Sequence, residues 1–408
     1  MRWPRVFDIA QKEVLSTFRD HRAILSNILL PLALLPVIML GMPMLLGGLF
    51  EREATTVTQL GLGGAEHMPP ELRAAIEAQN VELVAVDDPE AAVREDEFPA
   101  AIAVPEGFAA TIAAGGKAEV RLYSKAGNMR SELNASKLRA AVGAYQQAVV
   151  AERLGAQGLD PSILEPVAVQ AVDASSEAER SSGALSWLIP FFIAIWTLTG
   201  GQMTAIDATA GEKERGTLES LLVAPVRRSE VVLGKFLATL VFGLIAATAA
   251  IGGYLVGGLV MRGVFLPRMG ETGGEIVGMM GGSISVDVGS VLLLLMSAVL
   301  LAAAVAAVLI AISLFARSFK EAQSYVAPLS FVFVIPAVAL QFKDLIGIGD
   351  GAYVVPVLNA LLVMDDIVKG DASLRSILVT WASLAVVIGL LLAFAHRNFS
   401  REDVIFRT

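Results

Sequence analysis

The chain has 408 residues, of which 55% are hydrophobic and only 17% charged, too apolar a balance for an ordinary soluble protein of that length. With no Cys and only His21, His67 and His396, it has no disulfide framework and no thiolate or imidazole cluster, so no metal site is expected. The net charge of −9 comes largely from the segment Glu51 to Arg180, and nucleic acid is not an expected partner.

Residues 1–22 place Val6, Ile9, Ala10, Val14 and Phe18 at helical spacing against Arg5, Asp8, Lys12, Glu13 and Arg19, which predicts an amphipathic interface helix lying on the membrane. Its charges rule out a cleavable signal peptide, so the next apolar run is expected to stay as an anchor. That run, residues 23–50, is long enough to cross a bilayer and carries Pro31, Pro36 and Pro43, where kinks are expected. Asn27 in its first turns is expected to make an interfacial or interhelical hydrogen bond.

Residues 51–183 read as a water-soluble α/β domain. Strands are expected at Thr58 to Leu62, Val81 to Val86, Ala100 to Val104 and Glu119 to Tyr123. Helices are expected at Pro70 to Gln79, Asp88 to Glu95, Glu106 to Ala114 and Ser131 to about Leu154. Val167 to Val172 alternates and is expected to close the sheet. Strands separated by single helices suggest β-α-β crossovers in one compact domain.

The remainder, residues 184–408, supplies further spans at Leu185 to Ile206, Val231 to Met261, Val288 to Phe315, Ser324 to Gln341 and Ser376 to Ala395. Residues 354–367 are too short to cross and predict a half-helix in the outer leaflet. Arg262 to Asp287 is Gly-rich and expected as an exposed connection. The fold class is thus a polytopic α-helical membrane protein with six transmembrane helices and a mixed α/β extracytoplasmic domain between helices one and two. The N-terminus, the charged segment 207–230, the turn Arg317 to Lys320 and the C-terminus fall on one side and hold nearly half of all Lys and Arg. By the positive-inside rule that side is cytoplasmic, with both termini inside.

No phosphate-binding loop, nucleophile elbow or zinc-binding helix occurs, so no catalytic residue is expected and ATP must be bound by another chain. The charged segment is more pointed. Gly216 supplies a hinge, Thr217 is placed to cap a helix starting at Leu218, Pro225 ends that helix, and Ser229 is placed to cap the next span. Such a helix suits a groove of a soluble partner, but an ordinary basic loop that sets topology has the same spacing, and both readings stay open on spacing alone.

The run Gly211-Glu-Lys-Glu-Arg-Gly-Thr-Leu-Glu-Ser-Leu-Leu-Val-Ala-Pro-Val-Arg-Arg-Ser-Glu-Val-Val-Leu-Gly-Lys resembles that of the ABC type-2 exporter permeases. Phe98-Pro-Ala-Ala-Ile-Ala-Val-Pro-Glu-Gly-Phe and Val354-Val-Pro-Val-Leu-Asn-Ala-Leu-Leu fit the same family, so the resemblance covers nearly the whole chain. It implies that Glu212, Lys213, Glu214, Arg215, Gly216, Thr217 and Glu219 meet an ABC ATPase, with the N-terminal helix beside them. It also implies a homodimer of two permeases with two ATPase subunits that hold ATP and Mg2+, in a bacterial or archaeal cytoplasmic membrane.

Within the family the likeness is to sodium-exporting systems, which implies Na+ efflux. A hard cation wants oxygen ligands, and Asp207 with Gln202 and Thr204 are the candidate pathway residues, while Asp365 and Asp366 are expected to follow the outer half-helix. Two other readings stand beside it. The cargo is an amphiphilic drug, peptide antibiotic or lipid, or the chain is a membrane-anchored sensor with an extracytoplasmic ligand-binding domain.

Overall fold

The computed structural model describes residues 2–164, 172, 174, 176, 183, 186–217, 225–268 and 287–399. The chain divides into two compact units, one of Met1–Gly47 with Ala174–Thr408 and the other of Gly48–Asp173.

The first unit is helical. It opens with α1 (Trp3–Phe18), which stops four residues short of the expected Arg22. Among the described residues six helices are long and apolar enough to cross a membrane: span 1 (Leu25–Met42), span 2 (Leu188–Glu214), span 3 (Arg228–Arg268), span 4 (Val288–Ser313), span 5 (Phe319–Leu340) and span 6 (Leu374–Phe399). The helix of span 1 runs on to Thr55, past the expected Phe50, because no Gly or Pro lies between Phe50 and Thr56.

Span 5 starts at Phe319 rather than Ser324, inside the turn expected at Arg317 to Lys320, and spans 2 and 3 depart further from expectation at their ends. Span 2 does not stop at Ile206 but continues through a π-helical turn at Asp207–Gly211 and a helical turn at Glu212–Glu214. Span 3 starts at Arg228, and the Glu230 carboxylate, rather than Ser229, accepts the Arg227 amide at 3.0 Å. Its far end stays helical to Arg268, into the stretch expected as an open connection.

Small residues set how closely these helices pack. A Cβ on Gly200 of span 2 would lie 2.6 Å from Ala246 Cβ and 2.8 Å from the Phe242 carbonyl oxygen of span 3. On span 3, a Cβ added to Gly253 would lie 2.9 Å from both the Pro31 and the Leu32 carbonyl oxygens of span 1. In hydrocarbon, where helices gain little from apolar burial against one another, such close backbone approach is the main source of attraction. Asn27 donates to the Gly200 carbonyl at 3.5 Å, the interhelical bond its position suggested.

The half-helix expected at 354–367 is Leu358–Lys369, preceded by a 3-10 turn at Asp350–Val354. Between them Val357 has φ +72°, a backbone conformation that a β-branched residue rarely adopts. Asp365 and Asp366, which the expected range 354–367 takes in although they were expected to follow the half-helix, lie inside the helix and are buried. Lys343 reaches both, at 2.9 and 3.0 Å, and Lys369 reaches Asp365 at 2.8 Å. Tyr353 donates its hydroxyl to Asp366 at 2.5 Å. Buried carboxylates need such partners, and these two are neutralised by lysines rather than held open for a cation.

The second unit carries a four-stranded sheet in the order β2-β1-β3-β4. β1 (Thr58–Gly63) is parallel to β2 (Val81–Ala85) and to β3 (Ala100–Ala103), and β4 (Arg121–Ser124) is antiparallel to β3. Helices α2 (Pro70–Glu77), α3 (Pro89–Arg94), α4 (Phe108–Ala113) and α5 (Met129–Ala156) connect or follow the strands. Asp88 caps α3 by accepting the Glu90 and Ala91 amides. Asn128 caps α5 by accepting the Ser131 amide at 3.1 Å, which starts that helix two residues before the expected Ser131. Leu60, Leu62, Leu72, Ile76, Ile102 and Leu138 form the buried core. The strand expected at Val167 to Val172 lies outside the described residues.

Candidate functional site

The charged turn that ends span 2 is the centre of a network of ionic and backbone contacts. Glu212 is 4% exposed, and its carboxylate is shared by two ammonium groups: Lys12 of α1 at 2.5 Å and Lys235 of span 3. Lys235 is 1% exposed and also contacts Glu13 of α1 at 3.4 Å and donates to the Ala208 carbonyl inside the π turn. Lys12 closes the set by bridging to Glu13 at 3.0 Å. Two cations and two anions therefore balance, with Lys235, Glu13 and Glu212 buried and Lys12 at the solvent-facing rim, and such pairing is the condition under which buried charge is tolerated. At the edge of this site burial works against the Lys12 ammonium, and its hydrogen bond to Glu212 and the charge of Glu13 more than offset that, so its pKa rises.

The next residues fasten the same turn to other spans. Lys213 donates to the Leu314 and Ala316 carbonyls just after span 4, which helices leave without intrahelical partners. The Glu214 carboxylate accepts the Phe319 amide at 2.7 Å, at the start of span 5, where negative charge is favoured. Arg215 folds back onto Asp207 at 2.8 Å. Gly216 takes the left-handed φ of +68° that closes the helical turn, and its amide donates to the Lys213 carbonyl at 3.0 Å. Thr217 was expected to cap a following helix, whose amides lie outside the described residues; its hydroxyl donates back to the Glu212 carbonyl at 3.3 Å. Glu219 and the helix expected from Leu218 lie outside the described residues.

α1 is laid along the start of span 3. Val6 and Ile9 bury their side chains there, and Ile9 is packed so closely that a Cβ on Gly234 would meet it at 2.7 Å. The fully buried Glu230 accepts the Arg2 amide at 2.7 Å.

The sequence matches the family described as ABC-2 family transporter protein over residues 7–404. The chain belongs to that family. It is also 27% identical to the ABC transporter permease protein NatB of Bacillus subtilis (strain 168) over 395 residues, 97% of each chain. The charged turn, the six candidate spans and all but the first four residues of α1 fall within the matched region of this ABC-2 transporter protein.

The three candidate pathway residues do not converge. Gln202 lines a cavity of about 300 Å³ with Ser26, Asn27, Thr199 and Gln323, between spans 1, 2 and 5. Two positions along the helix, Thr204 is buried on another face, and its hydroxyl has no hydrogen-bond partner among the described residues. Asp207 is held by Arg215. Among the described residues no group of three or more His, Asp or Glu side chains is arranged to hold a metal.

Sequence reasoning missed Lys235 and Glu13 as parts of the site. The signal was present for one of them, since Lys235 is the sole charged residue between Val231 and Met261. A lysine inside an apolar span needs a partner, but which partner depends on how α1 and span 2 fold against it.

Proposed function

We propose that this chain is the permease subunit of an ATP-binding cassette exporter, driven by a separate ATPase that contacts the 207–217 turn and α1. The observation that carries this reading is that one short turn is tied by side chains to α1 and span 3, to the end of span 4 and to the start of span 5. Force applied to such a turn is shared by most of the bundle, which is what a mechanically driven transporter requires. Lys12, Glu214, Arg215, Gly216 and Thr217 keep exposed surface for a partner while their polar atoms brace the turn. The working assembly in this proposal is a homodimer with two ATPase subunits that hold ATP and Mg2+, in a bacterial or archaeal cytoplasmic membrane, with both termini and the turn facing the cytoplasm.

Na+ efflux is the cargo implied by the likeness to sodium-exporting permeases. A second reading, export of an amphiphile, is favoured by the cavity between spans 1, 2 and 5, which is lined by neutral amides, hydroxyls and apolar side chains and by no carboxylate. Hard cations are held best by several oxygens that include charged ones.

The test is purification from native membranes followed by reconstitution. An ABC ATPase that copurifies supports the exporter, and its absence favours a membrane-anchored sensor. ATP hydrolysis stimulated by Na+ over K+ at fixed ionic strength supports ion export. Indifference to Na+ together with stimulation by a hydrophobic cation or a lipid supports the amphiphile.

A further inference from the structure

We infer that Lys235 is the positioning residue that passes movement of α1 and the 207–217 turn into span 3. The inference rests on the coupling reading above and adds to it the place where two input elements join. Neither α1 nor the turn belongs to the helix of span 3. Within hydrogen-bonding or ionic reach, the one ammonium of Lys235 holds Glu13 from α1, Glu212 from the turn and the Ala208 carbonyl from the π turn.

A buried ion cluster is a poor device for stability alone, because apolar side chains of the same volume would serve as well or better. What the cluster provides is geometry. A π turn widens the helix and leaves carbonyls off the regular ladder, and Lys235 supplies the donor for one of them at Ala208. Loss of that donor favours the regular α-helical ladder, and dropping one residue from the turn would rotate Lys213, Glu214 and Arg215 by about 100° about the helix axis. The groups that reach spans 4 and 5 would then point elsewhere. Lys235 thus sets both the attachment of α1 and the direction of the turn's other contacts.

The chain has no Cys, so single-cysteine reporters can be placed in the full permease–ATPase complex. Gln11→Cys sits on the exposed face of α1. Gly263→Cys lies 28 residues beyond Lys235 in span 3, about 42 Å along a helix. An added Cβ there meets nothing within 4 Å. The readout is labelling by a water-soluble maleimide with and without ATP and vanadate.

In the otherwise unaltered chain both reporters are expected to change rate. With Lys235→Met the ATPase still copurifies and Gln11→Cys still responds, while the response at Gly263→Cys falls about tenfold, the scale of a typical coupling free energy between sites. Lys235→Arg keeps a cation between the two carboxylates and is expected to restore part of the response. The variant Glu13→Gln/Glu212→Gln/Lys235→Met leaves no lone buried charge, so it remains informative if Lys235→Met folds poorly, and it too is expected to silence Gly263→Cys alone. A full response at Gly263→Cys in either methionine variant overturns the inference. Loss of both responses in the triple variant also overturns it, since that is the mark of a general structural role. If the parent complex brings no ATPase, or neither reporter responds in it, the coupling reading itself fails.

Discussion

Glu230 and Arg2 are 228 positions apart in the chain, yet the carboxylate of one accepts the backbone amide of the other at 2.7 Å. The second carboxylate oxygen accepts the Arg227 amide at 3.0 Å, so one side chain starts span 3 and fixes the beginning of α1 on it. Both amides belong to helix starts, where donors have no partner inside their own helix. Glu230→Ala should therefore lower the melting temperature of the detergent-solubilised chain by a few degrees and make α1 more open to proteolysis. A melting curve and a cleavage pattern identical to the parent's would show that the bond does not hold α1.

A Cβ added to Gly253 would lie 2.9 Å from carbonyl oxygens of span 1, and backbone cannot yield as a flexible side chain can. Gly253→Val is expected to force spans 1 and 3 apart at a cost of about 1–3 kcal/mol. Gly263→Ala, in open space, serves as the control and should leave stability unchanged. Comparable melting temperatures for the two variants would contradict the close approach.

Val357 carries strain at the entrance to the Leu358–Lys369 helix. Glycine accepts φ +72° without the clash of a β-branched side chain, so Val357→Gly is expected to stabilise the chain by about 1 kcal/mol, less whatever packing the valine supplies. Thermal unfolding of Val357→Gly beside Val357→Ala separates the two effects, because alanine loses the packing without gaining glycine's freedom. Equal destabilisation of both variants would rule out the strain.

Burial works against the Lys343 ammonium, but hydrogen bonds and charge from Asp365 and Asp366 outweigh it and raise its pKa above the ordinary 10.5. Burial and the hydrogen bond to Asp366 likewise raise Tyr353 above its ordinary 10.0. Both folded values lie above the unfolded ones. The stability they contribute is therefore complete below about pH 10 and is lost as pH rises through the folded values. Melting temperature followed from pH 7 to pH 11 should fall at the alkaline end more steeply in the parent than in Lys343→Met/Tyr353→Phe. Parallel curves would deny the cluster this role.

The sheet-bearing unit has its own core, and residues 56–164 are expected to unfold cooperatively as a soluble fragment. Ile102 is wholly buried in β3, between β1 and β4, so Ile102→Ala should cost that fragment about 2–5 kcal/mol in urea titration. A fragment without a cooperative transition would mean that the unit needs the rest of the chain.

Elements whose cause is local were legible in advance. The short runs Thr58 to Leu62 and Ala100 to Val104 marked strands that formed within a residue of their expected ends, and the helix expected from Asp88 is capped by that residue, a short acceptor before Pro89. The apolar runs announced helices because unpaired backbone amides are too costly in lipid. Ends set by distant partners were missed. Span 2 was expected to stop at Ile206, where hydrophobicity falls, yet it continues because Lys235 and Lys12 neutralise Glu212 and Lys235 supplies a donor to the Ala208 carbonyl.

The sequence by itself determined that the chain carries long apolar helices, an acidic α/β insert, a charged run between the second and third apolar segments and no phosphate-binding loop of its own, because composition and period follow from local chemistry. Only the tertiary structure decided where those charges point. Glu212 and Lys213 looked like solvent-facing groups, but folding turned one toward Lys12 and Lys235 and the other toward the carbonyls after span 4. Gln202 and Thr204 looked like neighbours on one path and fell on different faces of a helix. A charge or hydroxyl is defined by what it meets, and residues separated by 200 positions meet only when the chain has folded.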